Sequence, residues 1–287
     1  MYFKKSFFLV NSIQNKPIGV DKMIKLIITD LDGTFLNSQH TFDKTYFESV
    51  FKEMKRKNIA FAACTGKQCE RVEELLGPEF LKDIWILGDS ATRIKRNGQY
   101  IYESLLPNKT GLQIIEKLEE IASDHTIIAC TPTAAFIHAD TPAEIKQVVR
   151  GSYAVVKELD SLATISEDFV KITVFDSFKR CFENVKQLQA FEDRAFIVAS
   201  EAAWIDITNL NIHKGTTVNE LQQLLGVNKN ETMAFGDGYN DMELFEQATY
   251  SFAVQNAFEE VKEKAAFVTK SNDDNGVLRT IEMMIAL

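Results

Sequence analysis

IKLIITDLDGT, residues Ile24 to Thr34, decides how the rest of this chain reads. Apart from Lys25 it opens as an apolar, β-branched run that stops at Asp30. A short apolar run bounded by a turn signal predicts a buried strand. The run ends in two carboxylates one residue apart, Asp30 and Asp32, followed by Gly33 and Thr34. Ligands of open α/β sheets bind beyond the carboxyl ends of the strands, so a strand here presents Asp30 where such sheets do chemistry. Two acids this close repel each other unless a cation lies between them or one holds a proton. That points to a divalent metal. The same residues also suit a solvated turn, since Asp and Gly favour turns, and the other strand ends must decide between the two.

Downstream, a helix is predicted over 43–57, with Phe47, Val50, Phe51 and Met54 on one face. Ile59 to Cys64 is a second apolar strand, ending in Thr65-Gly66-Lys67, and a helix over 68–76 begins there. A hydroxyl, a glycine and a helix N-terminus suit an anion, because free N–H groups and the helix dipole face it. Thr65 would equally serve as an ordinary N-cap. Ile84 to Leu87 is a third strand, ending in Gly88-Asp89-Ser90-Ala91, and a hairpin of 94–96 with 99–103 turns through Asn97-Gly98.

The βα rhythm then changes. Helices are predicted over 110–123, 142–150 and 179–190, among short strands at 126–130, 135–138, 170–175 and 195–199. This is an α+β module inserted into an alternating chain, placed at 105–205. Past Trp204–Thr208, His213-Lys214-Gly215-Thr216-Thr217 opens a helix to Leu225. A strand over 231–235 ends in Gly236-Asp237-Gly238-Tyr239-Asn240-Asp241, putting two more acids at a strand end. Strands at 250–254 and 267–268, with helices over 257–264 and from 276, complete the alternation. The expected fold class is α/β, a doubly wound, Rossmann-like parallel sheet built from 24–104 and 206–287, with an α+β cap at 105–205.

Composition narrows the function. The 287 residues leave room for about two domains. A net charge of −9 and a pI near 5.1 argue against a nucleic acid or anionic membrane as partner. An anionic substrate would need a local cation. Cys64, Cys69, Cys130 and Cys181 form no Cys-x-x-Cys pair and read as reduced cysteines of a cytoplasmic protein. No apolar stretch approaches the ~18 residues of a membrane span. Near the N-terminus, the apolar run SFFLV is shorter than the ~7–15 residues of a signal-peptide core. Residues 1–23 are expected to lie outside the fold as a poorly ordered extension, with Met23, directly before the first strand, as an alternative start.

Asp30/Asp32, Thr65/Lys67, Asp89 and Asp237/Asp241 thus stand at strand ends, and Lys214 opens a helix. Each alone has an ordinary structural explanation, but their joint placement at one sheet edge suits phosphoryl transfer. A carboxylate can attack phosphorus and divide one hard step into two easier ones. Mg²⁺ prefers oxygen ligands and keeps several waters, so a few carboxylates suffice. A hydroxyl, backbone N–H groups and a lysine would hold phosphoryl oxygens.

The ordered set DLDGT, strand–TGK, HKG and GDGYNDMEL resembles the haloacid dehalogenase superfamily phosphatases of the Cof-like branch, type IIB, with an α+β C2 cap. The resemblance covers about 24–287. It implies Asp30 as nucleophile and metal ligand, and Asp32 as general acid/base whose backbone carbonyl also meets the metal. It implies Asp237 as a further Mg²⁺ ligand and Asp241 as the acid that orients metal-bound water or Lys214. Thr65, Gly66, Lys214 and Asn240 are implied in phosphate binding. Two departures stand out: Lys67 replaces an Arg, and Asp89-Ser90 replaces Asn-Gly. Asp89 is expected to add negative charge near the mouth of the site and bear on substrate choice. The implied activity is Mg²⁺-dependent hydrolysis of a small phosphorylated metabolite of the sugar phosphate, pyridoxal phosphate or FMN class, through an aspartyl-phosphate. A phosphomutase and a phospho-accepting regulatory protein are the alternatives. The length and the second acid of the DLDGT turn disfavour the latter.

Overall fold

A computed structural model describes residues 24–286; the expectation for 1–23 lies outside the described residues. Fourteen strands form among them: β1 (Leu26–Thr29), β2 (Ala60–Cys64), β3 (Ile84–Gly88), β4 (Arg93–Arg96), β5 (Gln99–Glu103), β6 (Thr126–Cys130), β7 (Ala135–His138), β8 (Val156–Leu159), β9 (Lys171–Phe175), β10 (Ala195–Glu201), β11 (Trp204–Asn209), β12 (Thr232–Gly236), β13 (Tyr250–Ala253) and β14 (Phe267–Val268). The chain divides into two compact units, one within Met1–Cys64 and Val218–Leu287, the other Thr65–Thr217. The fold class read from the sequence is the one observed: a parallel α/β core and an inserted α+β module.

In the first unit the strand order is β14-β13-β12-β1-β2, every pairing parallel. Parallel strands covered on both faces read as unbroken apolar runs, and all four residues of β1 are buried. Helix Lys44–Arg56 buries Phe47, Val50, Phe51 and Met54, as its periodicity predicts, and Asp43 caps it by accepting the Tyr46 N–H at 2.9 Å. Phe47 meets the rings of Phe35 and Phe61 at 5.3 and 5.2 Å between centroids. Helix Gly276–Ala286 is fastened alongside, with Lys57 Nζ donating to the Ile285 carbonyl at 2.5 Å.

In the second unit β3, β4 and β5 form an antiparallel ladder. Its turn has Asn97 at φ 50° and Gly98 at φ 75°, the left-handed pair that an Asn-Gly hairpin turn requires. A separate six-stranded sheet runs β10-β11-β9-β6-β7-β8. Alternate residues of β6 face opposite sides: Ile127 and Ala129 join the cluster around Ile114, Leu118 and Phe169, while Ile128 and Cys130 join Val149 and Tyr153.

Two local readings change. The helix predicted over 179–190 is a four-residue α turn, Cys181–Asn184, followed by a 3₁₀ run, Val185–Phe191. Val185, Leu188 and Phe191 all pack on the core, and a spacing of three matches the 3₁₀ period rather than 3.6. β8 has no sequence signal. Its residues, VKEL, pair in parallel with β7 at the sheet edge, with Val156 and Leu159 packed against the apolar clusters and Lys157 and Glu158 exposed between them. No helix among the described residues is long and apolar enough to cross a membrane.

Candidate active site

β1 lies between β12 and β2. From β1 the chain winds toward β2 in one direction, and from β12 toward β13 and β14 in the other. The reversal falls between β1 and β12, where a doubly wound sheet opens a crevice at its carboxyl edge. Asp30 follows β1 and Asp237 follows β12, so the topology delivers an acid to each side of that crevice.

Asp30 keeps an extended backbone (φ −65°, ψ 162°). Its N–H continues the ladder to the Phe235 carbonyl at 3.0 Å, and it is buried. The chain then turns through Leu31–Phe35, with Gly33 at φ 76°. Thr34 Oγ1 comes back to donate to Asp237 Oδ1 at 2.5 Å. Asp241 is fully buried, and its Oδ2 accepts the N–H groups of Asp237 and Gly238, each at 3.0 Å. Asp30, Asp237 and Asp241 each bring a carboxylate oxygen to within 4.8 Å of the others. Three converging carboxylates repel one another unless a cation joins them, and an all-oxygen set of this size suits a hard cation such as Mg²⁺. Backbone choice supports the cluster: a Cβ on Gly33 would lie 2.5 Å from Asp237 Oδ2, and one on Gly236 2.5 Å from Asp241 Cγ. The glycines keep both carboxylates where they are.

Asp32 does not join this group. Its side chain is 38% exposed, with His40 Nδ1 at 3.5 Å. Asp241 brings a carboxylate oxygen close to those of Asp30 and Asp237. Asn240 is half-buried on the single 3₁₀ turn Tyr239–Asp241.

The other motif residues lie in the second unit. Thr65 is buried, and its hydroxyl oxygen accepts the Lys67 N–H at 3.2 Å. Backbone bonds lock the motif to the end of β3: Thr65 N–H to Leu87 O at 2.9 Å, Ser90 N–H to Thr65 O at 3.1 Å, and Asp89 N–H to Lys67 O at 2.7 Å. Lys214, buried, is the first residue of helix Lys214–Leu225. Nearby in sequence, Thr217 Oγ1 donates to the Ala91 carbonyl at 2.5 Å.

The expectation that Asp89 charges the mouth of the site is corrected. Asp89 is 2% exposed, and its Oδ2 meets no donor among the described residues. Burial pushes its carboxyl pKa up against the pull of Lys171 and Arg93. Asp89, Ser90 and Ala91 all take left-handed φ, at 56°, 58° and 64°. This turn tucks the acid inward.

Sequence reasoning missed Lys171 and Asp206. Lys171 Nζ donates to the Gly66 carbonyl at 2.7 Å and to Ser90 Oγ at 3.0 Å, and lies 3.5 Å from Asp206 Oδ1. Asp206 also accepts from Ser90 at 2.8 Å, Thr173 at 3.3 Å and Ser200 at 3.1 Å. The available signal was a charge inside each of two apolar strands, KITVF and WIDIT.

The family profile of haloacid dehalogenase-like hydrolases matches residues 27–281. A 5-amino-6-(5-phospho-D-ribitylamino)uracil phosphatase of Escherichia coli is 28% identical over 91% of this chain and 96% of its own length. A Bacillus subtilis phosphatase of the same name is 27% identical over 92% and 99%. A solved structure from Streptococcus mutans UA159 superposes with a TM-score of 0.88 at 27% identity, covering 92% of this chain and all of that one.

Proposed function

The chain belongs to the haloacid dehalogenase-like hydrolases and is a phosphatase of the Cof type, and from that premise we propose that it is a Mg²⁺-dependent phosphomonoesterase working through an aspartyl-phosphate on Asp30. The observation that carries the proposal is the convergence of Asp30, Asp237 and Asp241 at the β1/β12 switch point. These three carboxylates, with the Asp32 backbone carbonyl from the motif, would hold the metal. Bound there, Mg²⁺ would offset the charge of the acids and of the transferring phosphoryl group.

The chemistry belongs to the chain's own residues. Asp30, ionised, attacks phosphorus as the ester oxygen leaves. Asp32 donates a proton to that departing oxygen and then takes one from the water that hydrolyses the acyl phosphate. Thr65, Gly66, Lys214 and Asn240 are assigned to the phosphoryl oxygens by their motifs. The substrate proposed is a small phosphorylated metabolite, and the action is cytoplasmic. The two relatives named for a ribitylaminouracil phosphate make an open-chain polyol phosphate the first compound to try, ahead of sugar phosphates, pyridoxal phosphate and FMN.

The test is phosphate release from a panel of such monoesters, with Mg²⁺ and with excess chelator, for the parent protein and Asp30→Asn. Multiple turnovers that vanish with chelator and in the variant are expected. Turnover undiminished in Asp30→Asn would refute the assignment.

A further inference from the structure

We propose that Lys171 is a positioning residue for phosphate binding: by holding the Gly66 carbonyl it orients the Gly66–Lys67 peptide, and through that peptide it sets the Thr65 hydroxyl as a donor to a phosphoryl oxygen. This rests on the reading of Thr65-Gly66 as the phosphate motif.

The carbonyl of Gly66 and the N–H of Lys67 belong to the same planar unit and point in opposite directions. The carbonyl accepts from Lys171 Nζ at 2.7 Å. The N–H therefore faces the other way, where it donates to Thr65 Oγ1 at 3.2 Å. A hydroxyl that accepts from that N–H turns its own proton elsewhere, and a hydroxyl carries only one. Thr65 is left able to donate, as a phosphoryl oxygen requires, because such an oxygen only accepts. Were the peptide to flip, the Gly66 carbonyl could take the hydroxyl proton and leave Thr65 without one to donate.

A glycine peptide flips easily, since the residue has no Cβ to oppose it. Lys171 is what resists. Its ammonium is 2% exposed and spends its donors on Gly66, Ser90 and Asp206. Ser90 accepts from Lys171 and passes its own proton to Asp206, so each polar group has its complement. Burial opposes the charge on Lys171, but its neighbours, Asp206 among them, outweigh that and keep it cationic. A charge-assisted bond is about twice as strong as a neutral one, so the cation is a firmer hold on the carbonyl than a hydroxyl or amide. Lys171 stands at the head of β9, 105 residues from the glycine it holds.

The test is a double-mutant cycle read as the affinity of the Mg²⁺-loaded protein for inorganic phosphate, with turnover of an aryl and an alkyl phosphate measured in parallel. Lys171→Met should weaken phosphate roughly 10–100-fold, the size of one bond to a charged group. The kcat/KM values for both esters should fall by the same factor, because the loss concerns the phosphoryl group and not the leaving group. In a Thr65→Val background, Lys171→Met should add less than about 3-fold, since its route runs through that hydroxyl. Ser200→Ala serves as the control for loosening of the network: it removes a donor to Asp206 and should lower thermal stability while leaving phosphate affinity in place. If the methionine variant does not fold, Lys171→Gln takes its place, keeping a neutral donor and losing roughly 3–10-fold, again only when Thr65 is present. Additive effects, an unchanged phosphate affinity, or an equal loss in Ser200→Ala would overturn the role of Lys171. A parent protein that binds no phosphate and turns over neither ester would overturn the phosphatase reading itself, and this inference with it.

Discussion

Gly33→Ala tests how tightly the acids proposed to hold Mg²⁺ are set. Gly33 has φ 76°, a left-handed conformation that costs a residue with a Cβ about 1–2 kcal/mol. The new methyl would lie 2.5 Å from Asp237 Oδ2, where ordinary contact begins at 3.4 Å, so that oxygen must retreat by about 0.9 Å. It cannot retreat freely, because the other oxygen of the same carboxylate accepts from Thr34 Oγ1 at 2.5 Å. Metal ligands tolerate about 0.2 Å of error. The displacement therefore removes Asp237 as a ligand or breaks its bond to Thr34. Mg²⁺ affinity should fall roughly 10–100-fold, as when a supporting contact around a ligand is lost. The melting temperature should fall by about 2–8 °C from backbone strain. The assay is calorimetric titration with Mg²⁺ beside thermal unfolding. Gly98→Ala separates the two effects: it carries the same strain at φ 75° with nothing among the described residues within 4 Å of the new methyl, and should lose stability while keeping its Mg²⁺ affinity. A folded Gly33→Ala protein with parental Mg²⁺ affinity would refute the reasoning.

Asp32→Ala should lose roughly 10²–10⁴-fold in turnover of alkyl phosphates but less with aryl phosphates, whose leaving group needs no proton. Intact-mass spectrometry after acid quench should then find one phosphate retained on Asp30, and parental alkyl turnover would count against the acid/base role. Gly111→Ala should lower the melting temperature, although alanine is the better helix former by about 1 kcal/mol, because its methyl would overlap the buried Phe169 ring and overpacking costs about 1–3 kcal/mol. A rise in melting temperature would show that the ring yields. Burial pushes the His125 imidazole pKa below its ordinary value, against the upward pull of Asp176. The unfolded chain therefore binds the proton first, and stability contributed by the neutral ring falls as pH drops below about 6.5, levelling off beneath the folded pKa. His125→Phe should flatten that part of the urea-midpoint profile between pH 7.5 and 5.5, and an unchanged slope would assign it to other groups.

Residues near one another in the sequence determined much of this protein. β1, β2 and β12 were legible as unbroken apolar runs because both faces of a parallel strand are covered. The helix at Lys44–Arg56 was legible from its apolar spacing, and the turn at Asn97-Gly98 from the φ values its residues accept. The acids of the DLDGT and GDGYND turns were legible because they follow those strands at once. Only the tertiary structure decided which groups meet. Asp237 finds Thr34 across 203 residues, Ser90 finds Asp206 across 116, and Lys171 finds Gly66 across 105. The burial of Asp89 depends on a run of three left-handed residues that no local preference announces, and β8 exists because β7 offers it an edge. Periodicity, caps and turn chemistry act over a few residues and leave their mark in the sequence. The pairing of a buried charge is set by whatever the fold brings opposite it, and its energy comes from a partner that local sequence cannot name.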